Sequence, residues 1–575
     1  MVKQFLAKPV LYLWRLLCRR SLRRFRARLE TGRASNRETL LAILTVSKDT
    51  KIGRRFNFDA IRRSADPISA FRQRLPLSDY SQFTADIQAI AAGSEDILFP
   101  GKPAMLVATS GTSSDPKLLP MTRAQQNTVL SYIIFMIPAM RAEAAPGLRP
   151  GQRSINLMLA SNPGNVLPSG ARVGMSSAGG VSRVVGAAPY IWTSPATIFQ
   201  LTEHSAALYL HALFGLLDER AGCIEAIFGS HIVSWVSMLF DKREELINDI
   251  ATGTISGQLQ LGSAERKSLQ RKMSPNPVRA AAIKSAFDQG EAGVIKRLWP
   301  DMQVFSTIVS GAFALTLPRL KYLAGSDINI YTTCFGATES MAGINLWPEL
   351  PERYALSNGA AYYEFLPVAA LDSESPATIE LDELQVGESY ELVITSRAGL
   401  YRYRLGDVIR VVDFIGDTPV FEFSYRVGTV LDMVGEKTTE QHTSQVVRDI
   451  VNDFFGSAAA VTNYTVTADV ASANSHYCVY LELPTTQPVA PGDADVLARK
   501  FDERLQQVNT SYRTLARSNG RLGAANLRLV SAGTFNALED CRYVKNPGSS
   551  RNQIKVPRVL SDPEQIAMLN AHAVY

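Results

Sequence analysis

The chain has few of the residues that build metal sites and disulfide frameworks. Its 575 residues include only five cysteines and six histidines. No two cysteines have CxxC spacing, and their odd number argues against a fully paired framework. The histidines form no HExxH pattern. The sequence therefore predicts neither a zinc site nor a disulfide scaffold, and it favours a reducing, cytoplasmic compartment.

The sequence also lacks an apolar run that could cross a bilayer. Residues 9–18 resemble the apolar part of a signal peptide, but Arg15 interrupts them and a dense basic stretch follows without a small-residue cleavage site. The run 129–140 is shorter than the ~20 residues that a span needs, and Pro138 interrupts it. We therefore expect no transmembrane helix.

Excess positive charge is confined to one segment. Residues 1–30 hold nine basic side chains and one acid, which gives this segment a net charge of +8. Because the whole chain carries +6, the other 545 residues have a net charge of −2. A nearly neutral body argues against a nucleic-acid enzyme, which would spread basic surface over its working face. No nucleic-acid partner is expected.

The basic segment belongs to a predicted helix over residues 9–46. Its apolar residues recur with helical spacing, and arginines occupy the rest of the circumference. The apolar stripe consists of Leu11, Leu13, Trp14, Leu17 and Leu22. Two interpretations stay open: a helix in peripheral contact with a membrane surface or anionic partner, and a first helix packed on the body with solvated arginines.

The remaining pattern predicts an α/β fold with two units. Short apolar strands at 105–108, 155–159, 304–310 and 328–333 alternate with helices such as 123–140. Strands at 389–395 and 408–412 flank a glycine turn, and a smaller α+β unit holds strands at 459–470 and 478–483 and a helix at 493–513. We expect a basic helical arm over 1–34, a large domain of layered sheets and helices over 35–426, and a small mobile domain over 427–575.

Residues 109–117 form a loop suited to phosphate. Five hydroxyl residues and one glycine precede Lys117. Hydroxyls and backbone N–H groups donate to phosphate oxygens, and the lysine adds positive charge. The Walker spacing is absent, which excludes a standard P-loop. By itself the pattern also fits an ordinary polar surface loop.

Three further motifs each admit a plain structural interpretation. The sequence Phe335-Gly-Ala-Thr-Glu339 follows a predicted strand and suits either a triphosphate with Mg²⁺ or a helix cap. Asp407, after a glycine, could accept from ribose hydroxyls or belong to a hairpin turn. Lys555, near Gln553, could be catalytic or a solvated loop lysine.

Together and in this order, the motifs resemble the adenylate-forming superfamily, and more closely the Gretchen Hagen 3 family of acyl acid amido synthetases, over residues 35–560. The matching segments are 109–113, 298–300, 308–311, 337–339 with 343–346, 362–367, 399–407, 437–440 and 555–558. The Tyr-Arg-Tyr-Arg run and the Glu-Phe-Leu-Pro block are specific to this family.

The resemblance implies a ligase with two half-reactions. A substrate carboxylate attacks the α-phosphate of ATP with Mg²⁺, and pyrophosphate leaves. An amino acid amine then attacks the acyl-adenylate and releases AMP. Such chemistry needs charge neutralisation and alignment more than a nucleophilic side chain. The alternative is an acyl-CoA synthetase that uses a thiol acceptor, and a third hypothesis is a non-catalytic nucleotide-binding protein. A monomer is expected.

The resemblance also assigns roles by position. Thr338 would contact the α-phosphate, Glu339 would hold Mg²⁺, and Lys555 would swing in with the small domain. Tyr362 lies where the family stacks adenine, and on a strand only one of Tyr362 and Tyr363 could do so. The other predicted nucleotide contacts are Ser110, Gly111, Thr112, Ser113, Lys117, Ser310, Gly311, Asp407 and Arg426.

Two departures from the family pattern stand out. Ser114 and Asp115 replace glycines in the phosphate loop, and Glu436 precedes Lys437 where plant members carry aspartate. Neither change removes a proposed catalytic group. The acyl pocket, expected from residues 123–140, 170–177 and 310–315, is largely apolar or small, which suits an aromatic or aliphatic acid.

Overall fold

A computed structural model describes most of the chain. The described residues are 2–108, 117–149, 151–158, 166–167, 170, 172–174, 188–201, 203–310, 316–325, 327–371, 373, 376–427, 431, 433–434, 436, 438–456, 461–469, 475–484, 489–518, 520–545 and 554–575. Most of the phosphate loop, at 109–116, lies outside these ranges, as do Gly311, Lys437 and Gln553. No helix within the described ranges combines the length and apolar character that spanning a bilayer requires.

Within the described ranges, seventeen strands form four sheets. A seven-stranded antiparallel sheet has the order β11-β12-β13-β14-β10-β9-β8, and a parallel sheet has the order β3-β5-β6-β7. Two three-stranded sheets have the orders β2-β1-β4 and β15-β16-β17. The strands are β1 Met105–Ala108, β2 Leu118–Met121, β3 Ser154–Asn156, β4 Val173–Gly174, β5 Cys223–Phe228, β6 Val304–Ile308, β7 Asn329–Tyr331, β8 Cys334–Phe335, β9 Gly343–Ile344, β10 Arg353–Leu356, β11 Ala361–Pro367, β12 Ser389–Ser396, β13 Tyr403–Ile415, β14 Thr418–Arg426, β15 Asn463–Asp469, β16 His476–Glu482 and β17 Asn526–Val530.

Helices cover the sheets and carry most of the remaining described chain. The α-helices are Val2–Glu30, Gly32–Ser47, Lys51–Phe56, Phe58–Arg63, Pro67–Arg74, Tyr80–Ala91, Arg123–Ser131, Ile137–Ala144, Ala188–Ile191, His204–Leu217, Gly229–Asp241, Arg243–Thr252, Ser263–Gln270, Pro277–Asp288, Val294–Leu298, Leu317–Ala324, Glu440–Phe455, Asp493–Val508, Thr534–Lys545 and Pro563–Ala571. Short π-helical turns lie at Tyr132–Met136 and Tyr512–Arg517. The mixture of parallel sheet, antiparallel sheet and helices confirms the predicted α/β class.

The predicted elements recur with adjusted ends. The strand at 105–108 is confirmed as predicted, and the strand predicted at 408–412 is the middle of the longer β13. The strand predicted at 459–470 is shorter, because β15 covers only 463–469. The helix predicted over 9–46 is broken at Thr31, whose φ of −120° and ψ of 46° are not helical. Period-two alternation and helical spacing of apolar residues thus predicted where an element lies, but they predicted its first and last residues less well.

The first helix, Val2–Glu30, packs on the body of the protein. Its side chains Cys18, Leu22, Phe25 and Leu29 are buried in one cluster with residues such as Tyr132. The indole of Trp14 donates a hydrogen bond to the carbonyl of Ile134, and Arg26 forms an ion pair with Glu143. The interpretation as a packed first helix is therefore confirmed for its second half.

The small C-terminal unit has its own hydrophobic core. The helices Glu440–Phe455 and Asp493–Val508 cover the β15-β16-β17 sheet, and their apolar side chains form one buried cluster. A separate cluster surrounds the parallel sheet in the N-terminal half, and another lies between the N-terminal helices and the large antiparallel sheet.

Candidate functional site

Asp407 lies inside strand β13, where it faces Arg426 on β14. The two residues are register partners, and an Arg426 Nη1 atom lies 3.7 Å from an Asp407 Oδ1 atom. Asp407 is only 6% exposed. Gly406 just before it has φ of +80°, a conformation that favours glycine and marks an irregular strand. The interpretation of Asp407 as a hairpin-turn residue is therefore wrong.

The neighbouring arginines hold the strand in place. Arg404 donates to the buried carboxylate of Glu391, which also accepts from the backbone N–H of Gly406. Arg402 is itself buried and forms an ion pair with Glu364, at 3.0 Å. The Tyr-Arg-Tyr-Arg run thus fixes the backbone from which Asp407 projects, and its arginines are engaged within the protein.

Thr338 and Glu339 lie in the loop between β8 and β9. The amide of Gln125 donates to the Glu339 carbonyl at 2.9 Å, and the Ala337 N–H donates to the Ser340 carbonyl at the same distance. Glu339 is 7% exposed. No helix follows in this fully described segment, so the interpretation of the pair as a helix cap is wrong. The loop instead presents a hydroxyl and a buried carboxylate side by side.

Lys555 reaches the same region from the small unit. Its Nζ lies 4.9 Å from the centre of the Phe228 ring, at the carboxyl end of β5. The side chain is reachable by solvent yet closely surrounded by protein, so burial lowers the pKa of Lys555 while Asp407 and Glu440 raise it. Lys555 is therefore not a lysine of an isolated, solvated loop, and we call the region between Lys555, Asp407 and Glu339 the cleft.

The loop that carries Lys555 is anchored to strand β15. The Thr465 hydroxyl donates to the Pro557 carbonyl at 2.6 Å, and the Val466 N–H donates to the Arg558 carbonyl at 2.9 Å. The Arg558 guanidinium lies over the Tyr464 ring, 4.6 Å from its centre, and donates to the Tyr464 carbonyl. These contacts fix the position of Lys555 on the small unit.

The charges of the cleft act on one another. Burial raises the pKa of Glu339, Arg426 and Lys117 lower it, and Asp407 raises it. Burial also raises the pKa of Asp407, against the lowering effect of Arg426 and Lys555. Cations from three separate parts of the chain thus surround two carboxylates. A polyanion that adds negative charge would find these cations close together.

The predicted adenine-stacking tyrosines do not reach the cleft. Tyr362 and Tyr363 are both fully buried, because β11 is covered on both faces. The Tyr362 ring packs against Phe71, and the Tyr363 hydroxyl lies 3.1 Å from that of Ser340. Neither ring has an exposed face on which a base could stack, so their assignment as nucleotide contacts is corrected.

Phe335 is the aromatic residue that the sequence argument left without a role. It immediately precedes Gly336-Ala-Thr-Glu339, is half-buried, and packs in a group with Tyr354, Phe421 and Phe423. Its adjacency to the motif was the available signal. Phe228 was also missed, and no local pattern marks it, because Lys555 reaches it only through the tertiary fold. Glu440 ends the matching segment 437–440, but the sequence argument gave it no role.

The other predicted contacts divide into described and undescribed residues. Ser310 comes shortly after β6, and its hydroxyl lies 2.5 Å from the hydroxyl of Tyr354. Lys117 immediately precedes β2, and its Nζ lies 5.3 Å from the centre of the Tyr80 ring. Ser110, Gly111, Thr112, Ser113 and Gly311 lie outside the described residues. Of the predicted acyl pocket, 171, 175–177 and 311–315 are likewise outside.

Glu339 is the one predicted metal ligand. Within the described ranges, no three His, Cys, Asp or Glu side chains cluster closely enough to hold a metal by themselves. Magnesium in nucleotide sites commonly takes one or two carboxylates and completes its shell with phosphate oxygens and water. The buried Glu339 carboxylate, on which the cations Arg426 and Lys117 act, therefore fits a metal that arrives with a polyphosphate.

Comparisons with known proteins agree over nearly the whole chain. The models of the GH3 family N-terminal, central and C-terminal domains match residues 21–329, 354–426 and 441–564. An indole-3-acetic acid-amido synthetase, GH3.3 of Arabidopsis thaliana, is 28% identical over 94% of this chain and 91% of its own. The synthetase GH3.8 of Oryza sativa subsp. indica is 29% identical, with 88% and 85% covered.

Solved structures show the same fold. The GH3.15 acyl acid amido synthetase superposes with a TM-score of 0.82 at 24% identity, covering 95% of each chain. The 2-hydroxyisobutyryl-CoA ligase in its postadenylation state, bound to 2-HIB-AMP, has a TM-score of 0.53 at 12% identity, with 94% of this chain and 91% of its own covered. These likenesses show that the chain shares the fold of these two enzymes.

Proposed function

The chain belongs to the GH3 family, and from that premise we propose how its site works as an AMP-forming acid–amino acid ligase. The observation that carries the proposal is the position of Lys555. This lysine of the small unit lies over Phe228 of the large one, where the charge of Asp407 acts on it. An acyl-adenylate site needs such a cation beside the α-phosphate, because attack by one anion on another requires charge neutralisation.

In the first half-reaction, a substrate carboxylate attacks the α-phosphate of ATP and pyrophosphate leaves. We assign Thr338 and Lys555 to the α-phosphate, and Asp407 to the ribose hydroxyls. Phe335 replaces the tyrosines as the proposed adenine contact. The remaining proposed nucleotide contacts are Ser110, Gly111, Thr112, Ser113, Lys117, Ser310, Gly311 and Arg426.

Glu339 would hold Mg²⁺, which when bound neutralises charge on the phosphate oxygens. In the second half-reaction, the amine of an amino acid attacks the acyl carbon and AMP leaves with the electron pair of the broken C–O bond. The small unit, proposed to span 427–575, would rotate between the two steps and withdraw Lys555. The large domain would span 35–426, and the arm 1–34.

The acid is proposed to be aromatic or aliphatic, and the panel should begin with indole-3-acetic acid because the named plant relatives act on it. We further propose a cytoplasmic monomer. Contact of the first helix with a membrane is a separate proposal, because it depends on the exposed face of that helix and not on the nucleotide site.

Pyrophosphate exchange into ATP, measured across carboxylic acids, tests the first half-reaction. AMP release with the best acid and either amino acids or coenzyme A then tests the acceptor. Amine-dependent AMP release with formation of an amide supports the ligase. Release that depends only on coenzyme A would reject it in favour of a thiol acceptor.

Substitution Lys555→Ala should lower the exchange rate by about a hundredfold or more. The exposed Lys545, which pairs with Glu564 on the same unit, offers the matched control Lys545→Ala. Unchanged exchange in Lys555→Ala would remove this lysine from the mechanism.

A further inference from the structure

The first helix leaves one face uncovered, and that face changes in character along its length. Tyr12, Leu13, Leu16 and Leu17 are 67%, 58%, 43% and 43% exposed. The next two turns expose basic side chains, namely Arg19, Arg20, Arg23 and Arg24. An apolar tip is thus followed by a basic belt. We call these eight residues the outer face of the helix.

The outer face lies opposite the packed one. The buried residues Cys18, Leu22, Phe25 and Leu29 recur every three or four positions, so they share one side of the helix. Leu13, Leu17, Arg20 and Arg24 recur with the same spacing on the other side. Because the inner side is held by the body, the orientation of the outer face is fixed.

The outer face has no acid to neutralise it. Residues 2–29 contain no aspartate or glutamate. Arg26, nearer the body, pairs with Glu143 at 2.7 Å. Among the residues that the structure describes, no carboxylate lies within ion-pair distance of Arg19, Arg20, Arg23 or Arg24. Four cations beside four exposed apolar side chains are therefore available to an anionic partner.

We propose that the outer face binds an anionic membrane surface. The apolar side chains of Tyr12, Leu13, Leu16 and Leu17 enter the headgroup boundary, and the arginines contact lipid phosphates. A nucleic acid or acidic peptide would satisfy the arginines but would leave the apolar tip in water. The membrane accounts for both halves of the face, and contact with it is compatible with packing of the inner side on the body.

Vesicle flotation with the full-length protein tests the proposal. One set of vesicles contains phosphatidylcholine alone, and the other contains equal parts of phosphatidylcholine and phosphatidylglycerol. We expect binding to the second set, weakening as salt rises because the charges are exposed. Failure to bind the anionic vesicles, or binding of the two sets with equal affinity, would overturn the proposal.

Two variants separate the halves of the face. Arg20→Gln with Arg24→Gln should weaken the partition coefficient about tenfold or more, since each arginine near an anionic surface contributes several-fold. Leu13→Ser with Leu17→Ser should weaken it by a similar factor. Wild-type binding by either double variant would overturn the proposal, because both halves are required.

Matched controls come from exposed residues elsewhere. Val278 is 81% exposed, so Val278→Ser removes exposed apolar surface without touching the outer face. The exposed Arg54 and Arg74 offer a charge control, Arg54→Gln with Arg74→Gln. These controls should bind as wild type, and all variants should keep AMP release in vesicle-free solution. If the charge control weakened vesicle binding as much as Arg20→Gln with Arg24→Gln does, then net charge alone would explain the binding. That result would reject the outer face as the membrane contact.

Discussion

Three residues carry the charges on which the proposed mechanism depends. In that mechanism Lys555 must be protonated to neutralise phosphate, whereas Glu339 and Asp407 must be ionised to hold a metal and ribose hydroxyls. Burial lowers the pKa of Lys555 and raises those of both carboxyl groups. The window in which all three carry the required charge is therefore narrower than for exposed side chains.

The pH dependence of pyrophosphate exchange follows from these directions. Activity should rise as pH passes the raised carboxyl pKa values and fall as pH passes the lowered pKa of Lys555. In Lys555→Arg the guanidinium stays charged, so we expect the alkaline fall to move to higher pH even if the maximum rate drops. If the alkaline fall in rate lies at the same pH in Lys555→Arg, then a group other than Lys555 causes that fall.

Arg402 illustrates a residue whose role is stability. It lies in a left-handed conformation, with φ of +47°, and is 6% exposed. Its guanidinium donates to Glu364, to the hydroxyl of Thr378 and to the carbonyl of Leu75. Removing one member of a buried pair leaves an uncompensated charge, which is more costly than losing a surface pair.

Arg402→Ala should therefore lower the free energy of unfolding by about 3–5 kcal/mol, measured by urea unfolding. The control is Arg410→Ala, because the Arg410–Glu422 pair lies on the same sheet but Arg410 is 47% exposed. That change should cost about 1 kcal/mol or less. Equal effects of the two substitutions would show that burial does not govern the contribution of the Arg402 pair.

At the level of elements, strand β15 anchors the loop that carries Lys555. The Thr465 hydroxyl donates to the Pro557 carbonyl, the Val466 N–H donates to the Arg558 carbonyl, and the Leu560 N–H donates to the Val466 carbonyl. The loop therefore belongs to the small unit and, in the proposed mechanism, would move with it. Sequence near Lys555 could not reveal this, because the anchoring strand lies about ninety residues earlier.

Thr465→Val should lower the pyrophosphate-exchange rate about three- to tenfold, corresponding to one lost hydrogen bond. The KM for ATP should change little, since the substitution leaves the nucleotide contacts of the large domain intact. Thr467→Val is the matched control, because Thr467 lies on the same strand and bonds the Cys478 carbonyl, away from the loop. A similar loss in both variants would indicate general destabilisation of the small unit.

At the scale of the whole molecule, the first helix is part of the body. Four of its apolar side chains are buried with residues from Tyr132–Met136 and the parallel sheet. Deleting residues 1–30 should therefore lower the unfolding temperature markedly, because burial of each such side chain contributes about 1.5–3 kcal/mol. The control is Leu13→Ser with Leu17→Ser, which changes only exposed side chains of the same helix and should leave the unfolding temperature nearly unchanged. Calorimetry on both variants measures this, and identical unfolding temperatures would contradict the packing.

Much of the fold could be predicted because strands and helices depend on the local spacing of apolar residues. Alternating apolar residues located β15 and β16, and helical spacing located the helices at 123–140 and 493–513. Ordered motifs likewise placed Thr338, Glu339 and Asp407 in one class of site. The ends of elements were less predictable, since caps and breaks such as Thr31 depend on what the chain packs against.

By itself the sequence determined which chemistry to expect, because hydroxyls and lysines suit phosphate, whereas carboxylates suit a metal and ribose hydroxyls. Only the tertiary structure decided which of these groups meet. It buried Tyr362 and Tyr363 on both faces of β11, and it brought Lys555 over Phe228. It also covered one side of the first helix and left the other exposed. Burial and apposition arise between residues hundreds of positions apart, and no local pattern records them.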